Sequence, residues 1–100
     1  MAVTRLIIHA PTVDALKRAQ NNARNLLKLE DDAEVEIVVN GPAAALAVTL
    51  EDSDIVSRLV ICANSLRAQE LTAQAGVKQV DAAVQYLAHK QAAGWAYIRA

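Results

Sequence analysis

Phenylalanine is absent from this 100-residue chain, and cysteine and tryptophan occur once each. A single cysteine excludes an internal disulfide, so nothing points to an oxidising compartment. Aromatic residues make up 3%, so the core has to be filled by Ala, Val, Leu and Ile, which suits closely spaced layers. Long apolar runs are missing as well. The first run, Leu6-Ile7-Ile8, is broken by His9 and Pro11. It is too short for a signal peptide or a bilayer span, and a cytoplasmic location is expected. Neither sign of charge dominates: 10 Lys and Arg against 11 Asp and Glu leave a net −1. These charges are scattered, which favours neither nucleic acid nor an anionic membrane as partner. There is no phosphate loop, no dinucleotide fingerprint and no Gly-x-Ser-x-Gly elbow. Two histidines and one cysteine at these separations match no zinc pattern. Neither a metal nor a cofactor is therefore expected.

What is present is a chain 54% hydrophobic and 21% charged, a balance that excludes disorder. No linker, repeat or low-complexity stretch divides it, and residues 1–100 read as one domain. The apolar run over residues 3–8 lacks strict alternation, as a strand covered on both faces does. Thr12 is placed to cap a helix, with Asp14 in its first turn. Leu16, Ala19, Ala23, Leu26 and Leu27 then fall on one helical face. Glu30, Asp31 and Asp32 form an acidic turn, read as a solvated loop. A second strand covers residues 35–39 and is closed by Asn40-Gly41-Pro42. Gly41 permits an unusual dihedral there, and Pro42 suits a helix start. A small-residue helix over 43–50 and a short helical turn over 55–58 lead to a third strand, 59–62. A helix over about 65–71 follows. Residues 76–80 are ambiguous and include a candidate fourth strand. Asp81 is expected to cap the next helix, with Val84, Leu87 and Ala88 as its apolar face. Gly94 stops it, and residues 95–98 form the last strand.

Strand and helix thus alternate throughout, which demands crossover connections. The expected product is a three-layer α/β/α sandwich with a parallel sheet of four to five strands. His9, Asn40 and Cys62 then all lie at or just past carboxyl ends of strands, the edge where open α/β sheets bind ligands. Trp95 and Tyr97 alternate along the last strand and share one face. They serve packing or a subunit contact.

Cys62 is the strongest chemical candidate. The stretch Leu59-Val60-Ile61-Cys62-Ala63-Asn64-Ser65-Leu66-Arg67 puts it at the end of a strand, before a helix N-terminus whose N–H groups favour thiolate. Arg67, about one helical turn on, offers a counter-charge. Cys62-Ala63-Asn64-Ser65 resembles a C-x-x-C motif with its second thiol replaced by a hydroxyl, which excludes an internal dithiol cycle. Against this stands the reading of a small buried hydrophobe. His9 is either a general base that must reach Cys62 or a substrate, or a loop histidine bonded to backbone. His89 reads as solvated.

Three stretches together resemble the DsrE/DsrF-like family of small sulfur-metabolism proteins. They are Val35-Glu36-Ile37-Val38-Val39-Asn40-Gly41-Pro42, then Val60-Ile61-Cys62-Ala63-Asn64-Ser65-Leu66-Arg67-Ala68, then Gly94-Trp95-Ala96-Tyr97-Ile98. The resemblance implies a five-stranded parallel sheet and a homo-oligomer, trimeric or hexameric. It also implies that Cys62 carries a persulfide between donor and acceptor proteins. Asn64 and Ser65 would supply donors to the anionic sulfur. The other class of function is a non-catalytic ligand-binding or interaction module with a packed cysteine, using the strand-end crevice near His9, Asn40, Gly41 and Asn64. A third reading is a redox sensor in which Cys62 forms a sulfenic acid or an intermolecular disulfide.

Overall fold

The computed structural model describes residues 3–100. Five parallel strands form one sheet: β1 (Arg5–Ala10), β2 (Glu34–Val39), β3 (Leu59–Cys62), β4 (Lys78–Val80) and β5 (Ala96–Arg99), in the order β4-β3-β2-β1-β5. The helices are α1 (Val13–Leu29), α2 (Ala43–Ala47), α3 (Ser53–Val56), α4 (Ala63–Ala68) and α5 (Ala83–Ala92). The expected α/β/α sandwich is therefore present. The ambiguous segment is a three-residue edge strand.

The strand order explains how the layers are filled. From β1 to β4 each new strand is added on the same side of the last. Right-handed crossovers then place α1, α2, α3 and α4 on one face. The step from β4 to β5 runs back across the whole sheet, so its helix goes to the other face. The packing agrees. Ile8, Val35, Ile37, Val39, Leu59 and Ile61 pack against residues of the first four helices. On the opposite face, Ile7, Val38, Val60 and Cys62 pack with Ala83 and Leu87 of α5. One ten-residue helix thus covers a five-stranded face. At 1.5 Å per residue it is only about 15 Å long, and part of that face stays open.

Local chemistry sets most boundaries. Thr12 caps α1, its hydroxyl accepting from the Ala15 N–H at 3.1 Å, and Leu16, Ala19 and Ala23 are wholly buried. Alanine at these contacts lets α1 and α2 lie close to the sheet, as the shortage of aromatics requires. Several expectations need correction, among them the small-residue helix expected over 43–50, which ends at Ala47. The helix after β3 begins at Ala63 and not near Ser65, because Cys62, the last strand residue, is itself the N-cap. The short helix before β3 begins at Ser53, because the Asp52 carboxylate accepts from the Asp54 N–H at 3.0 Å and starts it early. Asp81 does not cap α5. Ala82 holds that position with no side-chain bond. The buried stripe of α5 is Ala83 and Leu87, whereas Val84 is 77% exposed.

Candidate functional site

The carboxyl edge of the sheet brings the sequence-derived residues into one row. His9 near the end of β1 donates through Nε2–H to Asn40 Oδ1, just past β2, at 2.9 Å. In the neutral ring this leaves Nδ1 to accept from the Tyr97 hydroxyl of β5, at 3.0 Å. Next in the row, the Gly41 N–H donates to Ser65 Oγ of α4 at 2.8 Å. The Gln69 amide nitrogen donates to the carbonyls of Gly41, at 2.9 Å, and Ser65, at 3.1 Å. The turn after β2 is thereby tied to α4. Gly41 makes this possible: its φ is +58°, and a Cβ there would lie 3.1 Å from the Pro11 carbonyl oxygen.

Cys62 sits beside this row on the α5 side of the sheet. It is 6% exposed, so the candidate thiol is covered and not displayed on the rim. Its Sγ lies 4.0 Å from the Asp81 carbonyl oxygen. Burial pushes the thiol up. The backbone N–H groups of Ser65, Ala83 and Asn64, with the Ser65 hydroxyl, outweigh that, and the net shift is downward from the ordinary value. The sequence pointed to one helix N-terminus, that of α4. The structure adds a second, that of α5, whose first residue is Ala83. N–H groups at both ends favour the thiolate.

Two predicted contributors act differently. The Arg67 guanidinium donates to Asn64 Oδ1 and is not among the groups that shift the thiol. Both side chains point out along α4, and Asn64 serves the sulfur through its backbone alone. His9 does not engage Cys62, since Asn40 and Tyr97 take both its ring nitrogens. Tyr97 and Gln69 were missed as site residues. The alternation of Trp95 and Tyr97 was the one available signal for Tyr97. Nothing local marked Gln69, whose role depends on the distant Gly41.

A groove of about 300 Å³ opens where α5 leaves the sheet uncovered, bounded by His9, Asn40, Tyr97 and Gln91, with Val84, Leu87 and Ala88 as its apolar wall. Asn64 is not part of it. Two larger clefts, of about 430 and 440 Å³, lie at the amino-terminal edge of the strands. The first has balanced charges, with Arg24 paired to Asp52 at 3.2 Å. The second is crossed by a Lys90–Glu36 pair at 3.7 Å. Arg58 lines both clefts; its Nη1 donates to the Val35 carbonyl at 3.4 Å, and its buried Nε has no hydrogen-bond partner.

The far end of α5 is pinned by that same carboxylate. The Tyr86 hydroxyl donates to Glu36 Oε1 and accepts from Lys78 Nζ at 3.2 Å. Lys90 Nζ also lies 4.2 Å above the centre of the Trp95 ring. Burial, the bond to Glu36 and its negative charge raise the Tyr86 phenol well above its usual range. An unfolded tyrosine loses its proton near pH 10, while the folded one keeps it. The stabilising contribution is complete below that value and declines as pH rises beyond it. Unfolding free energies from urea titrations at pH 9 to 11 are expected to fall by at most about 1.4 kcal/mol per pH unit from this group. Tyr86→Phe should flatten that part of the slope. An unchanged alkaline slope in the variant would contradict the assignment.

The chain matches no family model and no curated protein. Among solved structures it is similar to a protein of unknown function, MTH1491, from Methanobacterium thermoautotrophicum. The two are 26% identical, with a TM-score of 0.82, over 97% of this chain and 99% of that one. The likeness supports the three-layer fold along nearly the whole length, and the neighbour's name assigns no activity.

Proposed function

We propose that the protein is a cytoplasmic sulfur carrier in which Cys62 accepts a persulfide sulfur and passes it on. The observation that carries this reading is the thiol's position between the N-termini of α4 and α5, where N–H groups outweigh burial and lower its pKa. The Cys62 thiolate attacks the outer sulfur of a donor persulfide. An S–S bond forms at Cys62 as the donor's S–S bond breaks, and the donor leaves as a thiolate. The resulting Cys62 persulfide is attacked at its terminal sulfur by an acceptor thiolate, and Cys62 is released as thiolate. Sulfur moves with no external oxidant or reductant. The N–H groups that favour the thiolate serve it both as nucleophile and as leaving group. Because 6% of Cys62 is exposed, transfer runs through a narrow approach, which suits a protruding persulfide on a partner protein. A trimeric or hexameric homo-oligomer belongs to the same proposal.

Mass spectrometry after treatment of the folded protein with inorganic polysulfide tests this. A gain of one sulfur atom at Cys62 is expected, removed by a small thiol and missing in Cys62→Ser. No gain by the folded protein, with ready labelling after denaturation, would leave a packed cysteine and end the carrier reading. Light scattering checks the assembly.

A further inference from the structure

We propose that β5 is the docking edge for a second copy of this chain, which adds its own β5 antiparallel about a two-fold axis at Ile98. The two edges of the sheet are built differently. At one edge, β4 is only the three residues Lys78-Gln79-Val80. A short strand carrying lysine is a common way to keep an edge from pairing. At the other edge, β5 reads Ala96-Tyr97-Ile98-Arg99, and each of these residues is exposed. It holds no proline or lysine, and among the described residues no strand pairs beyond it. Tyr97 and Ile98 each leave 39% of their surface to water.

The backbone fixes the register. The Ala100 N–H donates to the His9 carbonyl at 2.9 Å and so points into the sheet. Successive peptide groups of a strand point to opposite edges. Ile98 therefore points inward too, and the N–H and C=O groups of Tyr97 and Arg99 point out, with no strand to receive them. With the axis at Ile98, Tyr97 of each copy lies opposite Arg99 of the other. These are the hydrogen-bonded pairs, and every outward group of one β5 meets one of the other.

The side chains fit the same register. Tyr97 is level with Ile7 and Arg99 with His9. Ile7 packs on the α5 face, so Tyr97 and Arg99 share that face and Ile98 lies on the other. Each Arg99 guanidinium comes beside the Tyr97 ring of the other copy, a cation against an aromatic face. The ring is already held by its bond to His9 at 3.0 Å. The two Arg99 side chains lie across a diagonal, so like charges are not set opposite. On the other face the two Ile98 side chains meet at the axis. A strand of this length spans only about 13 Å, short of what covers the roughly 800 Å² per partner of a stable interface. The pair alone is therefore weak, with a dissociation constant of about 10–100 μM. This goes beyond the assembly named with the carrier reading, of which only the hexamer has a two-fold axis. In a hexamer the contact is repeated and the copies reinforce one another.

Sedimentation of the full chain over about 1 μM to 1 mM tests this. A dimer or another even-numbered assembly is expected, with the Tyr97 and Arg99 amides exchanging more slowly as it forms. Ile98→Lys sets two ammonium groups face to face and should weaken the contact by about tenfold or more, turning dimer to monomer or hexamer to trimer. A second variant reads the register directly. Ile98→Cys in a Cys62→Ser chain brings two thiols to the axis, where Cα atoms of a non-hydrogen-bonded pair stand about 4.5 Å apart. Oxidised glutathione should link these chains, and should leave Ala96→Cys in the same background unlinked. Equal linking at both positions would overturn the register. A monomer at every concentration, or a trimer whose size and amide exchange Ile98→Lys leaves unchanged, would overturn the interface. Ile98→Lys should still gain sulfur at Cys62 from polysulfide, which separates this result from the carrier reading.

Discussion

Ile37→Ala is expected to destabilise the protein by about 3 to 4 kcal/mol, a large share of the 5–15 kcal/mol typical of a domain. Ile37 is wholly buried. It lies on the middle strand of the sheet, level with Ile8 of β1 and Leu59 of β3. Its side chain faces the layer formed by α1 to α4. The neighbours above are largely alanines, which have no side-chain length with which to reach into a void. Flanking strands hold the walls at fixed spacing. The cavity should therefore persist, and its cost adds to the lost burial. Urea unfolding should show a lower midpoint with an unchanged slope, and the thermal midpoint should fall by about 12–30 °C. A loss below about 1 kcal/mol would mean that the helices settle onto the sheet and that the layer is less rigid than argued.

Gly41→Ala is expected to cost about 2 kcal/mol or more and to disturb the thiol as well. The positive φ of +58° is unfavourable for a residue with a Cβ by about 1–2 kcal/mol. That Cβ would also press on the Pro11 carbonyl oxygen, which it meets at 3.1 Å. Either the turn or the end of β1 has to move. The Gly41 N–H holds the Ser65 hydroxyl, and Ser65 contributes to the low pKa of Cys62 through both its backbone and its side chain. The variant should therefore lose stability and also alkylate more slowly at Cys62 near neutral pH, as the thiolate fraction falls. Lower stability with unchanged thiol reactivity would show that Ser65 keeps its place without Gly41.

Much of the site was legible because its parts are local signals. Gly41 announced a special dihedral, Thr12 and Gly94 marked helix ends, and the run from Leu59 to Cys62 marked a buried strand. The errors have local causes too. Asn64 and Ser65 look like capping residues, yet the strand passes directly into α4 and leaves Cys62 as the cap. Asp81 looks like a cap, yet the helix begins one residue later. The stripe Val84, Leu87 and Ala88 satisfies helical spacing, but α5 meets the sheet along Ala83 and Leu87. In a helix this rich in alanine, several faces are apolar enough to pass for the buried one. Arg67 was near Cys62 in sequence only, since its side chain extends along α4 toward Asn64.

The order of strands and helices, the parallel sheet and the edge at which His9, Asn40 and Cys62 assemble were written in the linear pattern. Periodicity and capping are properties of neighbouring residues. Tertiary structure alone decided the reversal of direction between β4 and β5, which sends one helix to the second face. That reversal covers Cys62, gives it a second set of N–H groups and leaves the groove beside His9 and Tyr97 open. The physical reason is that strand order depends on which edge of the growing sheet each crossover reaches. That choice is settled by the packing of the whole chain and leaves no mark on any single segment.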